Sequence, residues 1–261
     1  MKPSRAALFG ALIATLSVSG SASLASAESP SALAASGCVT NPGSSTPDPA
    51  ALASKLAAVQ AATLLRQNSL APMVTSRSLS GYESLHQKTS SWYLPAVVES
   101  IMAYKYGDQF TQPKLHDWQE AKDPVFKGDS DLALTWINKR IDAEGGTFVY
   151  IGWVPTTASS LKSDVMYDID AAWPTYVNIV ITNRNYVWYQ DKFTYHATDA
   201  VGYSDSGSSV RIADPYTTPN SGGDCPTGLR NPSYVASPRL GCIYPEWPTS
   251  KYFAAMYSIW F

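Results

Sequence analysis

Cysteine, histidine and charge are all scarce in this chain. Its 261 residues hold 3 Cys and 3 His, and 15% of side chains are charged, for a formal net charge of −2. The two signs are interspersed and no basic stripe is present, which argues against a nucleic-acid or anionic-membrane surface. His86, His116 and His196 include no pair at i,i+4 spacing, so His86, His116 and Asp117 make a poor metal set. No metal or cofactor is expected. After the first 27 residues no apolar run is long enough to cross a bilayer, and no internal repeat is present. Three cysteines, Cys38, Cys225 and Cys242, are an odd number for a disulfide framework.

What is present begins with an export pattern. Lys2 and Arg5 precede the apolar run "AALFGALIATL", and small residues follow as far as "ASA" at Ala27. Basic, apolar and small residues in that order predict a secretory signal over 1–27 and an extracellular protein. Residues 28–49 are poor in large apolar side chains and predict a flexible leader. Cys38 lies too far past the apolar run to be a convincing lipid anchor. Cys225 and Cys242 bracket a loop rich in Pro, Gly and Ser, and a bridge between them is expected. Closing such a loop contributes about 3 kcal/mol in the chain-entropy model. The 16 Tyr and 8 Trp are assigned to core and strand faces rather than to ligand stacking.

Helical patterns come first along the chain. "PDPAALASKLAAVQAATLLRQ" predicts a helix capped by Asp48, with Leu52, Leu56, Val59 and Leu64 on one side. Residues 50–77 thus form an N-terminal helix and connection, and 78–261 the main domain. "YLPAVVESIMAY" predicts a helix entered near Pro95, a residue suited to a first helical position. "TQPKLHDWQEA" and "DSDLALTWINKRIDAEGG" predict two more, the second capped by Asp129 or Ser130 and stopped at Gly145–Gly146. "TFVYIGW" reads as a strand, and "SSLKSDVMYDIDAA" as an amphipathic helix. "PTYVNIVIT", "YHATDAVGYSD" and "SVRIADPY" read as strands, the last two joined by a tight turn at "DSG". "KYFAAMYSIWF" closes the chain as a short helix or a strand. The fold class is α+β, with helices packed on an antiparallel sheet.

Several landmarks fall in a familiar order. Gln87 lies six residues before Tyr93, and Pro95–Ala96 follow. His196 opens "YHATDAVGY", Gly202–Tyr203 close it, and Asp214–Pro215 end the next strand. This arrangement, over about Ser84 to Tyr216, resembles the papain-like cysteine peptidases. Within them it is most similar to the bacteriocin-processing, double-glycine-leader peptidases and their secreted homologues. The resemblance implies a papain-like fold in which Gln87 is the oxyanion donor, His196 the base and Asp214 its orienter. The nucleophilic cysteine of that pattern is here Tyr93, and the glycine after it is Leu94. Asp199, of opposite strand parity to His196, is expected to face away from it.

That replacement matters chemically. A phenol titrates near pH ~10 and a free thiol near ~8.5, and histidine pairing at a helix N-terminus lowers the thiol much further. Tyr93 is therefore a poor nucleophile whose ring occupies substrate space. The resemblance implies a catalytically silent homologue whose cleft binds a peptide or protein. Two alternatives stand beside it. One is an active hydrolase using an oxygen nucleophile, Tyr93 or Ser91, with His196 and Asp214. The other is a non-enzymatic cell-surface or matrix interaction protein. Oligomeric state is not legible.

Overall fold

The computed structural model describes residues 48–68, 74–89, 92–107, 111–122, 130–181, 194–215 and 241–261, all within the unit Gly37–Phe261. The export signal, the leader, Cys38, Ser91 and Cys225 lie outside the described residues, as does the side chain of Cys242.

Six α-helices are described: α1 (Pro49–Asn68), α2 (Tyr93–Tyr106), α3 (Gln112–Lys122), α4 (Ser130–Ala143), α5 (Ala158–Asp170) and α6 (Thr249–Ala255). The strands are β1 (Arg77–Ser78), β2 (Gly152–Trp153), β3 (Thr175–Ile181), β4 (Thr194–Ser204), β5 (Ser209–Asp214), β6 (Cys242–Pro248) and β7 (Met256–Trp260). They form one antiparallel sheet in the order β2-β7-β3-β4-β5-β6, and β1 pairs with β4 at Gly202 and Tyr203. The fold is α+β.

Strand alternation divides the core between the two faces of this sheet. Val177 and Ile179 of β3 pack with Leu161, Val165 and Ile169 of α5 and with Tyr252 of α6. On the other face Tyr176, Ala197 and Trp260 pack with Val97, Ile101 and Met102 of α2 and Ile137 of α4. Helices therefore cover both faces. Helix α5 starts with a capping box, in which Thr157 and Ser160 satisfy each other's backbone N–H groups. Helix α1 buries a single residue, Val59.

Two segments depart from the sequence pattern. "TFVYIGW" forms strand only at Gly152–Trp153, because the Asn138 amide takes the place of a ladder partner. Its Nδ2 donates to Tyr150 O (2.7 Å) and its Oδ1 accepts from Tyr150 N (2.8 Å). The C-terminal segment is helix and then strand, α6 followed directly by β7. No strand was expected at Cys242–Pro248. Its prolines, Pro245 and Pro248, are tolerated because β6 lies at the sheet edge. The "DSG" turn is a short 3₁₀ segment with positive φ at Asp205 (47°) and Ser206 (55°).

Candidate functional site

Helix α2 begins with the aromatic pair itself, so Pro95 is its third residue, where a backbone N–H is still without an intrahelical acceptor. Trp92 takes the cap position (φ −93°, ψ 32°) but makes no side-chain cap hydrogen bond. Its indole instead meets the His116 ring of α3 at 4.7 Å between centroids. At the other end Gly107 takes the left-handed conformation (φ 64°) and donates to Ala103 O.

The Tyr93 ring sits at the positive end of the helix dipole and meets the His196 imidazole edge to face, with centroids 5.4 Å apart. His196 Nε2 donates to Asp214 Oδ1 at 2.7 Å. His196 on β4 and Asp214 at the end of β5 reach each other diagonally across adjacent strands, in the register that pairs Asp199 with Ala213. Asp199 lies on the other face, where Tyr82 donates its hydroxyl to Asp199 Oδ2. Burial pushes the Asp199 carboxyl well above the usual carboxylate range, with the Tyr82 hydrogen bond opposing. Tyr93, His196 and Asp214 are thus brought together and Asp199 is kept apart.

Gln87 joins this group through the backbone. Gln87 N donates to Pro215 O at 2.9 Å, beside Asp214. Its side chain turns back on its own loop, with Nε2 donating to Thr89 O (2.8 Å). Oε1 is buried and has no hydrogen-bond partner among the described residues.

Two supporting residues escaped the sequence reading. Gln112, the buried first residue of α3, accepts from Lys88 N (2.8 Å) and donates to His86 O (2.9 Å), which clamps the loop that carries Gln87. A lone Gln beside a proline carries no signal for that role. Gly241 donates to Ser84 O (2.6 Å). A Cβ there would collide with Asp214 O and approach Ser84 Oγ at 2.7 Å. Its position after a Pro- and Ser-rich stretch of sequence masks this packing role.

The group is sealed. Tyr93 is 7% exposed, His196 3% and Asp214 1%. Leu94 is 1% exposed and packs in the core beneath α2, so its side chain lies inside the protein rather than over the imidazole. Chemically, this is an imidazole–carboxylate pair next to a helix N-terminus, with a phenol ring packed against the imidazole. Comparison with protein-family models and with curated protein sequences finds no match.

A second buried polar cluster lies under α1. Lys55 Nζ donates to Val149 O (2.8 Å) and stands over the rings of Phe148 (4.2 Å) and Phe261 (4.8 Å). Asp168 Oδ1 is 4.0 Å from the ammonium and makes no hydrogen bond among the described residues, whereas Oδ2 accepts from Thr175 Oγ1 (2.9 Å). Asp164 Oδ2 accepts from Trp153 Nε1 (3.2 Å). Burial, reinforced by Asp168, pushes Asp164 up to about 8, against the Trp153 hydrogen bond and Lys55. Burial likewise raises Asp168, and it lowers Lys55 against the pull of both acids. On α3, ligand atoms of His116, Asp117 and Glu120 lie within 4.8 Å of one another. Glu120, one helical turn from His116, is the member that sequence spacing did not single out, and His86 is not part of the group.

Proposed function

We propose that this chain is a papain-like cysteine-peptidase homologue made catalytically silent by Tyr93. The observation that carries the reading is the His196–Asp214 hydrogen bond, with Tyr93 at a helix N-terminus against the imidazole. A base, its orienting carboxylate and a helix end are the surroundings that make a thiol acidic. The phenol cannot use them in the same way, and its ring bars approach to His196. Burial of all three side chains favours silence over the oxygen-nucleophile alternative. Gln87, with its amide held by Thr89, is not directed at a reacting carbonyl as an oxyanion donor requires. A peptide or protein ligand would lie over Tyr93 rather than reach the imidazole. The same reading takes 1–27 as an export signal and Cys225–Cys242 as a bridge; intact mass and non-reducing peptide mapping of secreted material check both.

The decisive test is Tyr93→Cys. Leu94→Gly is best omitted, since emptying a buried leucine site costs about 2–5 kcal/mol. Titrating the thiolate by its ultraviolet absorbance should place the new thiol at least about one pH unit below a free cysteine. Adding His196→Ala should remove that shift. A thiol that titrates like free cysteine in both backgrounds would defeat the proposal. Wild-type protein should leave a diverse peptide library intact by mass spectrometry. Cleavage abolished by Tyr93→Phe would establish the oxygen-nucleophile alternative instead.

A further inference from the structure

A cavity of about 310 Å³ opens where the C-terminal turns of α1 meet α5, β1 and the end of β4. None of its lining residues belongs to the His196 group. Its charge runs against that of the chain. Arg66, Arg77 and Lys162 line it, and Asp170 is the carboxylate that faces them. Among the described residues, three cations against one anion leave two positive charges unbalanced, although the whole chain is net negative.

The hydrogen bonds show how these charges are held. Asp170 Oδ2 accepts from Arg66 through Nε (3.1 Å) and Nη2. Asp170 Oδ1 accepts from Tyr203 Oη (2.8 Å) and Arg77 Nη1 (3.3 Å). Both carboxylate oxygens are therefore engaged, and the carboxylate works as a clamp that fixes two guanidinium groups at one wall. Arg66 Nη2 is further tied to Met166 O (3.2 Å). Among the described residues Arg77 bonds through Nη1 alone, so its Nε and Nη2 edge keeps its donors for another acceptor. The Lys162 ammonium makes no hydrogen bond or ion pair among the described residues. Burial and the Asp170 hydrogen bond raise the Tyr203 hydroxyl to about 12, so it stays a neutral donor to Asp170.

The remaining wall is of a different kind. Val74, Met166 and the Tyr203 ring supply apolar surface, and the hydroxyls of Thr63 and Ser163 supply neutral polar contacts. A scatter of solvated surface cations would have no concave space between them and no apolar floor. This site has both, at the small end of the size range of ligand cavities.

We propose that the cavity is a binding site for a small phosphate monoester with a compact apolar body. A phosphate monoester carries about −1.5 to −2 charge at neutral pH, which matches the two unbalanced cations. Its oxygens suit the planar donor edge of Arg77 together with the point charge of Lys162. A body of about one ring would lie against Met166 and Tyr203, and the small volume excludes much more.

Phenyl phosphate is the probe, with phenol and inorganic phosphate as its two halves. Calorimetry on the full chain should detect phenyl phosphate binding, with each half at least about tenfold weaker. Arg77→Gln and Lys162→Gln remove one charge-assisted contact each and should weaken phenyl phosphate about tenfold. Both side chains are at least partly exposed, and a thermal melt verifies that the variants fold. The proposal is overturned by any of three results: no binding of phenyl phosphate, equal binding of inorganic phosphate, or unchanged affinity in both folded variants. Neither variant touches the His196 group, so failure here leaves the peptidase-homologue proposal standing.

Discussion

The His196–Asp214 pair and the Lys55 cluster are both buried and both ionisable, yet they are built differently. The first joins neighbouring strands of one sheet, so its partners are placed by ladder register, and a direct 2.7 Å hydrogen bond links them. The second spans α1 and α5, with two acids sharing one ammonium 4.0 Å from the nearer carboxylate oxygen. Register holds a pair tightly at little conformational cost. A long lysine reaching in from a helix with one buried residue gives a looser arrangement, in which burial outweighs attraction and lifts both acids. Buried charge is well tolerated only where geometry is fixed and hydrogen bonds are complete.

This contrast predicts a graded set of effects. The largest should come from Asp214→Ala, which leaves the His196 N–H without its acceptor in a sealed site. A loss of about 2–3 kcal/mol in urea unfolding is expected for a buried donor deprived of its acceptor, and a loss below about 1 kcal/mol would mean the pair is not a structural anchor. Lys55→Met should cost less, about 1–2 kcal/mol, because the acids it leaves behind are able to stay protonated. A cost as large as that of Asp214→Ala would erase the distinction between the regions.

Asp164→Asn sharpens the comparison through pH. The folded carboxyl titrates at about 8, against about 3.9 in an unfolded chain. Below pH ~4 both states are protonated and the group contributes no penalty. Between about 4 and 8 the unfolded state ionises while the folded state does not, so stability falls as pH rises. Asparagine removes this penalty and keeps an acceptor for Trp153 Nε1. The variant should be more stable than wild type by about 2 kcal/mol at pH 8 and similar to it at pH 4. Thermal melts at the two pH values check this, and an equal effect at both would contradict the assigned titration. Smallest of all, Tyr93→Phe should change stability by less than about 1 kcal/mol, since the ring that packs on His196 is kept.

Much of the framework was legible because periodicity reports burial directly. The apolar spacing of "YLPAVVESIMAY" and the near-continuous apolar run of "PTYVNIVIT" each describe surface that must be covered. Tyr93, His196 and Asp214 could be nominated through landmark order, although each residue alone is an ordinary core aromatic, strand histidine or turn aspartate. Gln112, Gly241 and the Lys55 cluster could not be. Their roles depend on atoms brought close from distant parts of the chain, and nothing in their neighbours' sequence marks them.

By itself, the sequence determined the α+β class, most of the helical and strand patterns, the scarcity of charge, and the phenol at residue 93. These follow from local composition and spacing, which act through propensity and burial within a few residues. Tertiary structure alone decided that helices cover both sheet faces and that Asn138 replaces a strand partner for Tyr150. It also decided that Leu94 lies in the core and that Asp170 clamps Arg66 and Arg77 in a cavity that Lys162 also lines. Each of those outcomes depends on long-range packing and on the solvation of buried polar groups, energies that exist only once remote segments share the same space.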